Sequence, residues 1–251
     1  MNSRRNFVMT LAGAAALRAM PDAVEKNKLP VVRKRLEKAF LAPGQMPNGM
    51  SPAADGLWIL DQKDPNKVHK VRYEDGTVLR EIQTESVHGS GITSGDGALW
   101  IGSTGSLKTL KVDPENGKTL RAFDTPGCGL VKWDHPTRPT GAHGLEWVGG
   151  GQYWIAVPPA VRIYLIHAET GKVIRSIPAP GVRPHGIAWD NGVLWCVESN
   201  DRAIYKMDPT DGTLLAKIQL RPSDPEPHGM KLRNGVFWYC DASSRWVCRL
   251  V

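Results

Sequence analysis

The sequence predicts an all-β chain of five similar four-stranded units closed into a ring, and three observations predict it. First, one phrase recurs five times: PNGMSPAADGLWILD (47–61), VHGSGITSGDGALWIGS (87–103), AHGLEWVGGGQYWIAV (142–157), PHGIAWDNGVLWCVE (184–198) and PHGMKLRNGVFWYCD (227–241). Second, its glycines, aligned as Gly49, Gly89, Gly144, Gly186 and Gly229, stand 40, 55, 42 and 43 residues apart. Third, no stretch after residue 42 sustains a helical period. A period near 42 with four short strands per repeat has the size of a propeller blade, so the expectation is a five-bladed β-propeller rather than a six-bladed one.

Each blade follows one grammar. A short apolar strand follows the His-Gly pair, and a turn such as Asp190-Asn191-Gly192 reverses the chain. The second strand centres on Trp58, Trp100, Trp154, Trp195 or Trp238, which accounts for five of nine tryptophans. These large apolar bodies are expected to fill the space between blades. Turns such as Asp113-Pro114-Glu115-Asn116-Gly117 then join the third strand to the fourth. The last copy ends too early for a fourth strand, because only 22 residues follow Gly229. Residues 32–40 stand at the equivalent distance before Asn48-Gly49, which predicts that an N-terminal strand completes the last blade and removes an open edge. The alternative for 31–40 is a charged helix leading into the ring.

The ends of the chain differ in character. Residues 1–40 carry nine Lys or Arg against three acids, whereas the other 211 residues hold 23 bases and 22 acids. The net charge of +7 therefore belongs to the N-terminus, and the near-neutral body gives no sign of a nucleic-acid partner. Ser3-Arg4-Arg5-Asn6-Phe7-Val8 and the Ala-rich run after it resemble a twin-arginine export signal, set against a plain basic terminus. The run is too short to span a bilayer. The expected organisation is a signal in 1–23, read by the twin-arginine export machinery, and one propeller domain in 24–251 that works in the periplasm or outside the cell without a membrane. Cys240 and Cys248 flank a short loop and could form a disulfide or stay buried thiols, and no cysteine pair has zinc-site spacing.

Blade topology brings the start of strand one and the end of strand two to the same face near the axis. Asn48, His88, His143, His185 and His228 stand before strand one, and Asp61, Ser103, Val157, Glu198 and Asp241 stand three residues after each repeat Trp. All ten are expected at one mouth of the central channel. Four imidazoles there (His88, His143, His185, His228) could ligate a divalent metal such as Mg, Fe or Zn, or no cofactor at all is needed. His185 with Glu198 and His228 with Asp241 are expected to be neighbouring acid/base pairs, with Asn48 and Asp61 as substrate contacts. The same histidines could instead be turn struts copied by duplication. The connection 124–142 is about a dozen residues longer than its counterparts, and Trp133, His135 and Arg138 in it could form a substrate-binding lid or a plain excursion. No Gly-x-Ser-x-Gly and no phosphate loop occurs.

PHGIAWDNGVLWCVESND together with IYKMDPTDG resembles the blades of the virginiamycin B (streptogramin B) lyase family, with their Pro-x-Gly-Ile, Gly-x-x-Trp-x-x-Glu and Pro-x-x-Gly pattern. The resemblance implies a propeller enzyme in which a His and a Glu after the Trp perform acid/base elimination with magnesium, and His185, Glu198 and His228 match those motif positions. That family has more blades. GSTGSLKTLKVDPENGKTL (102–120) is similar to a segment of the five-bladed glutaminyl cyclases (glutamine cyclotransferases), although His88-Gly89-Ser90-Gly91 stands where that family carries Thr-Gln-Gly-Leu. The expected activity is a lyase or hydrolase acting on a small molecule or a cyclic peptide or ester. The contrasting expectations are a non-catalytic periplasmic ligand-binding or scaffold propeller, and a four-histidine metal or redox propeller.

Overall fold

The structure is a computed structural model that describes residues 19–251. The paired arginines of the expected export signal lie outside the described residues. A short helix, Ala23–Asn27, is capped by Asp22 and tied to the body by a Lys26–Asp201 ion pair of 2.5 Å.

Five four-stranded antiparallel sheets follow one another around an axis. Their innermost strands are Pro47–Ala53, Gly89–Gly95, Gly144–Gly149, Pro184–Asp190 and Met230–Arg233, each beside the next and the last beside the first. The fifth sheet is completed by Leu36–Leu41, which pairs with Trp246–Leu250. The expected closure by an N-terminal strand is therefore the observed one, and the alternative of a helix over 31–40 is excluded.

The local reasons are those of the sequence. Asp96-Gly97, Asn191-Gly192 and Asn234-Gly235 all have positive φ at both residues, as a two-residue hairpin turn whose twist matches its strands requires. The core is not one body. Five apolar clusters lie between successive blades, and each repeat tryptophan is buried in one of them. Above each tryptophan lies a cation: Lys70 on Trp58, Lys111 on Trp100, Lys206 on Trp195 and Arg249 on Trp238, with ring-centroid distances of 5.3–5.7 Å. These four cations face their tryptophans across the ladder of the second and third strands. In blade three Leu165 holds that register position, and Arg175 from the fourth strand covers Trp154 instead. The cation covers the polar-facing side of a ring whose other side is in the core.

Cys240 and Cys248 are free and buried. Tyr239 is the register partner of Cys248, so Cys240 is one residue out of register and its thiol lies on the opposite face of the sheet. The possible disulfide is replaced by two inert thiols, whose pKa values burial pushes up to about 12 and about 11.

Candidate active site

The site grows out of a defect repeated in the blades. The pairing of strands one and two slips between Pro47 and Gly49, between Gly89 and Ile92, and between Pro184 and Ile187. Each slip is a bulge that re-aims the residue preceding a glycine. The glycine is required by the neighbouring blade. A Cβ on Gly186 would lie 2.6 Å from the His228 carbonyl oxygen, one on Gly144 2.0 Å from that of His185, and one on Gly229 2.6 Å from that of Asn48. The ring thus closes carbonyl against glycine.

The same contact corrects the alignment in blade two. The glycine that meets the His143 carbonyl is Gly91, and Gly49 meets the Ser90 carbonyl. Ser90-Gly91, not His88-Gly89, is the equivalent dipeptide, and the ring reads Asn48, Ser90, His143, His185, His228. Three histidines occupy it rather than four. His88 stands just before the strand at φ 55°, exposed, and it lines the common cavity from outside the ring of equivalent positions.

A cavity of about 890 Å³ opens at this mouth, and Asn48, His88, His143, His185 and His228 all line it. Its roof is the insertion. Gly129 and Thr140 exchange backbone hydrogen bonds that close the excursion on itself, and Trp133, Arg138 and Thr140 line the cavity. Trp133 lies 6.1 Å from the His143 ring at 86° and 6.3 Å from the His185 ring. The insertion is a roof rather than a plain excursion. His135, expected beside Trp133, is exposed and outside the cavity lining.

The imidazoles form a directed chain. His185 Nδ1 faces the Arg183 carbonyl at 3.2 Å and Ser199 Oγ at 3.0 Å, and Ser199 Oγ donates to the Pro227 carbonyl at 2.7 Å. Carbonyls only accept, and the one hydroxyl proton of Ser199 is committed, so Nδ1 of His185 carries the proton and donates. Its Nε2 is then a lone pair, which accepts from His143 Nδ1 at 3.2 Å. His143 Nε2 is in turn a lone pair, and the Thr140 hydroxyl donates to it at 3.1 Å. Both rings are neutral: burial, with the charges of His228 and Arg183, lowers His143 to about 3 and His185 well below the ordinary imidazole range. The His228 ring centroid is 4.7 Å from that of His185, and Arg183 Nη2 donates to His228 Nε2 at 3.3 Å. Burial first, then Arg183, lowers the His228 pKa as well.

The carboxylates expected beside these histidines are elsewhere. Glu198 accepts the Arg183 amide at 2.9 Å, Asp61 accepts the Gln45 and Met46 amides at 2.7 and 2.9 Å, and Asp241 accepts the Glu226 and Ser243 amides at 3.0 and 2.8 Å. Ser103 Oγ does the same for the Val87 amide at 2.8 Å. None of these side chains, nor Val157, lines the cavity, and no hydrogen bond among the described residues joins His185 to Glu198 or His228 to Asp241. They strap the segment entering each blade, because a strand end that leaves backbone N–H groups unpaired must satisfy them with a side chain. The acid that does approach an imidazole of the ring is Glu226, 3.5 Å from His228 Nε2 and 3.0 Å from Arg183 Nη1. Arg183 and Glu226 each stand directly before a Pro-His-Gly phrase, which is the signal that could have found them.

Among the described residues no group of three or more His, Cys, Asp or Glu is arranged to hold a metal ion. The lone pairs of His143 and His185 are already taken by hydrogen bonds within the chain, so the four-histidine ligand set does not fit this arrangement.

No protein-family model and no curated protein matches the sequence. Solved structures do. The chain is similar to the glutaminyl cyclase of Myxococcus xanthus, with a TM-score of 0.66 and 10% identity over 88% of this chain and 97% of that one. It is also similar to a catalytically inactive virginiamycin B lyase from Staphylococcus aureus with quinupristin, with a TM-score of 0.53 and 20% identity over 83% of this chain and 67% of that one. A streptogramin B lyase structure gives 0.53 and 18% over 87% and 97%. The fold is that of a propeller. At these identities the likeness speaks to the fold alone.

Proposed function

We propose that the chain is an exported enzyme, a lyase or hydrolase, that moves a proton on a small molecule or a cyclic peptide or ester in the roofed cavity. The observation that carries this reading is the directed chain Thr140–His143–His185 in the wall of that cavity. A substrate O–H or acidic C–H that displaces the Thr140 hydroxyl meets the His143 Nε2 lone pair. His143 Nδ1–H already donates to His185 Nε2, so the charge that appears on His143 is shared with a second ring whose own proton is held by the Arg183 carbonyl and Ser199. Arg183, with its guanidinium over Trp133 at 5.8 Å and Nη2 on His228, supports negative charge that develops on the substrate opposite. In this reading His185 is a positioning residue, and His143 and His228 are the groups that touch substrate. The fold is one that a glutaminyl cyclase and lyases also use.

A second reading, a ligand-binding propeller without turnover, draws on His185 donating to a backbone carbonyl, as a strut does. One experiment separates the two. Hydrolysis and elimination are screened over small esters, lactones and cyclic depsipeptides with the wild type, His143→Gln and His228→Gln, with folding followed by circular dichroism and metal content by elemental analysis. Turnover that drops at least 100-fold in both folded variants is expected, about 3 kcal/mol of transition-state stabilisation. Equal rates in all three proteins would refute the assignment, and stoichiometric metal lost from both variants would replace it with a metal site.

A further inference from the structure

The cavity has an uneven charge that its histidine chemistry leaves unexplained. Three cationic side chains line it, Lys63, Arg138 and Arg183, against one carboxylate, Asp64. Glu226, outside the lining, balances Arg183, and Asp64 accepts from the Asn66 side chain. Among the described residues no hydrogen bond or ion pair engages the Lys63 ammonium or the Arg138 guanidinium. The two come from different parts of the chain, Lys63 from the loop after the second strand of blade one and Arg138 from the roof. One further polar atom in the residues of the wall, Arg183 Nε, is buried without a hydrogen-bond partner. A guanidinium N–H can only donate, so this orphan is a donor.

The imidazoles register the same bias. Arg183 contributes to lowering His143, His185 and His228, and Lys63 contributes to lowering His88, with burial the larger cause each time. A base held this far below its ordinary range is poor at accepting a proton, and no carboxylate of the chain sits beside the cavity-lining rings His143 and His185 to restore its basicity. Negative charge placed in the cavity would do so. An aromatic roof, a volume within the range of small-molecule sites and unpaired cationic donors select a ligand that brings the charge with it.

We infer that the substrate is a small carboxylate, its charged head among Lys63, Arg138 and Arg183 and its flat apolar portion beneath Trp133. This rests on the reading of the cavity as the substrate site. Arg138 offers the planar fork that matches a carboxylate, and Lys63 adds a point charge from a different segment of the lining. The bound carboxylate then serves as the counter-ion that makes His143 a competent base, so the substrate completes its own site.

Isothermal titration of the full chain with benzoate, benzamide and benzylammonium tests this without a known substrate. Benzoate is expected to bind at least tenfold more tightly than benzamide, with benzylammonium weaker than both. In a Lys63→Met/Arg138→Met double variant, whose replaced side chains are at the exposed rim, the advantage of benzoate should fall below threefold while benzamide affinity is unchanged. Equal affinity for benzoate and benzamide in the wild type would overturn the carboxylate inference and leave the cavity a binding site. Failure of all three probes to bind the folded wild type would overturn the inference together with the substrate-site reading.

Discussion

At Glu198 a carboxylate three residues after a tryptophan, a pattern that reads as a general base, is 1% exposed and accepts the Arg183 amide. Burial, reinforced by Asp201, raises its pKa to about 7. The unfolded chain ionises near 4.5, so between about 4.5 and 7 the fold keeps a proton that the unfolded chain has lost. Stability from this group is therefore full below the lower value and falls as pH rises through the window, by about 3 kcal/mol at most. Glu198→Gln keeps the acceptor for the Arg183 amide and removes the titration. The melting temperature of Glu198→Gln relative to wild type should rise between pH 5 and pH 8. A constant difference would mean that the strap is ionised at both ends of that range. The comparison must be between the two proteins, because the histidines act in the opposite sense: with His143 lowered from 6.5 to about 3, its contribution is lost as pH falls below 6.5. Residue type and spacing placed carboxylates correctly at three of the five strand ends, Asp61, Glu198 and Asp241. Whether each faces ligand or backbone depends on which N–H groups the incoming segment leaves unpaired, and that is invisible in a repeat alignment.

At the scale of the element, the N-terminal strand is the part whose role was easiest to read, since a blade lacking one strand has an open edge that some other segment must cover. Leu36–Leu41 covers it, and Phe40 is its buried anchor, packed with Trp238 at a centroid distance of 6.5 Å in the cluster between blades five and one. Phe40→Ala should destabilise the protein by about 3–5 kcal/mol, read by urea denaturation, through the apolar surface and the cavity left at the ring closure. A cost under about 1 kcal/mol would show that the ring holds without this strand's packing. The bulges were harder to read. Aligning on His-Gly puts His88 in the ring, whereas the strand pairing selects Ser90, because register is settled by cross-strand hydrogen bonds and by which backbone a glycine must approach. The cations over the tryptophans were written in the sequence too, 11 or 12 residues after the Trp in four of the five blades. Their pairing is invisible to a reading along the chain, because the partner is across a hairpin.

For the whole molecule, the expected export rests on Arg4 and Arg5, which lie outside the described residues. Replacing both with lysine should keep the protein in the cytoplasm while the wild type appears in the periplasm, as cell fractionation with immunodetection would report; identical distributions would count against a twin-arginine signal. Period, turn residues and the short last repeat were enough to specify blade number, strand count and the way the ring closes, because each follows from local hairpin geometry and from the need to bury one face of every sheet. They also brought Asn48, His143, His185 and His228 to one mouth. The partners at that mouth were out of reach. That His143 donates to His185, that Glu226 and not Asp241 stands by Arg183, and that Trp133 roofs the cavity while His135 faces solvent are distances between side chains from different blades. Such distances depend on how the blades pack around the axis, and no periodicity along one chain contains them.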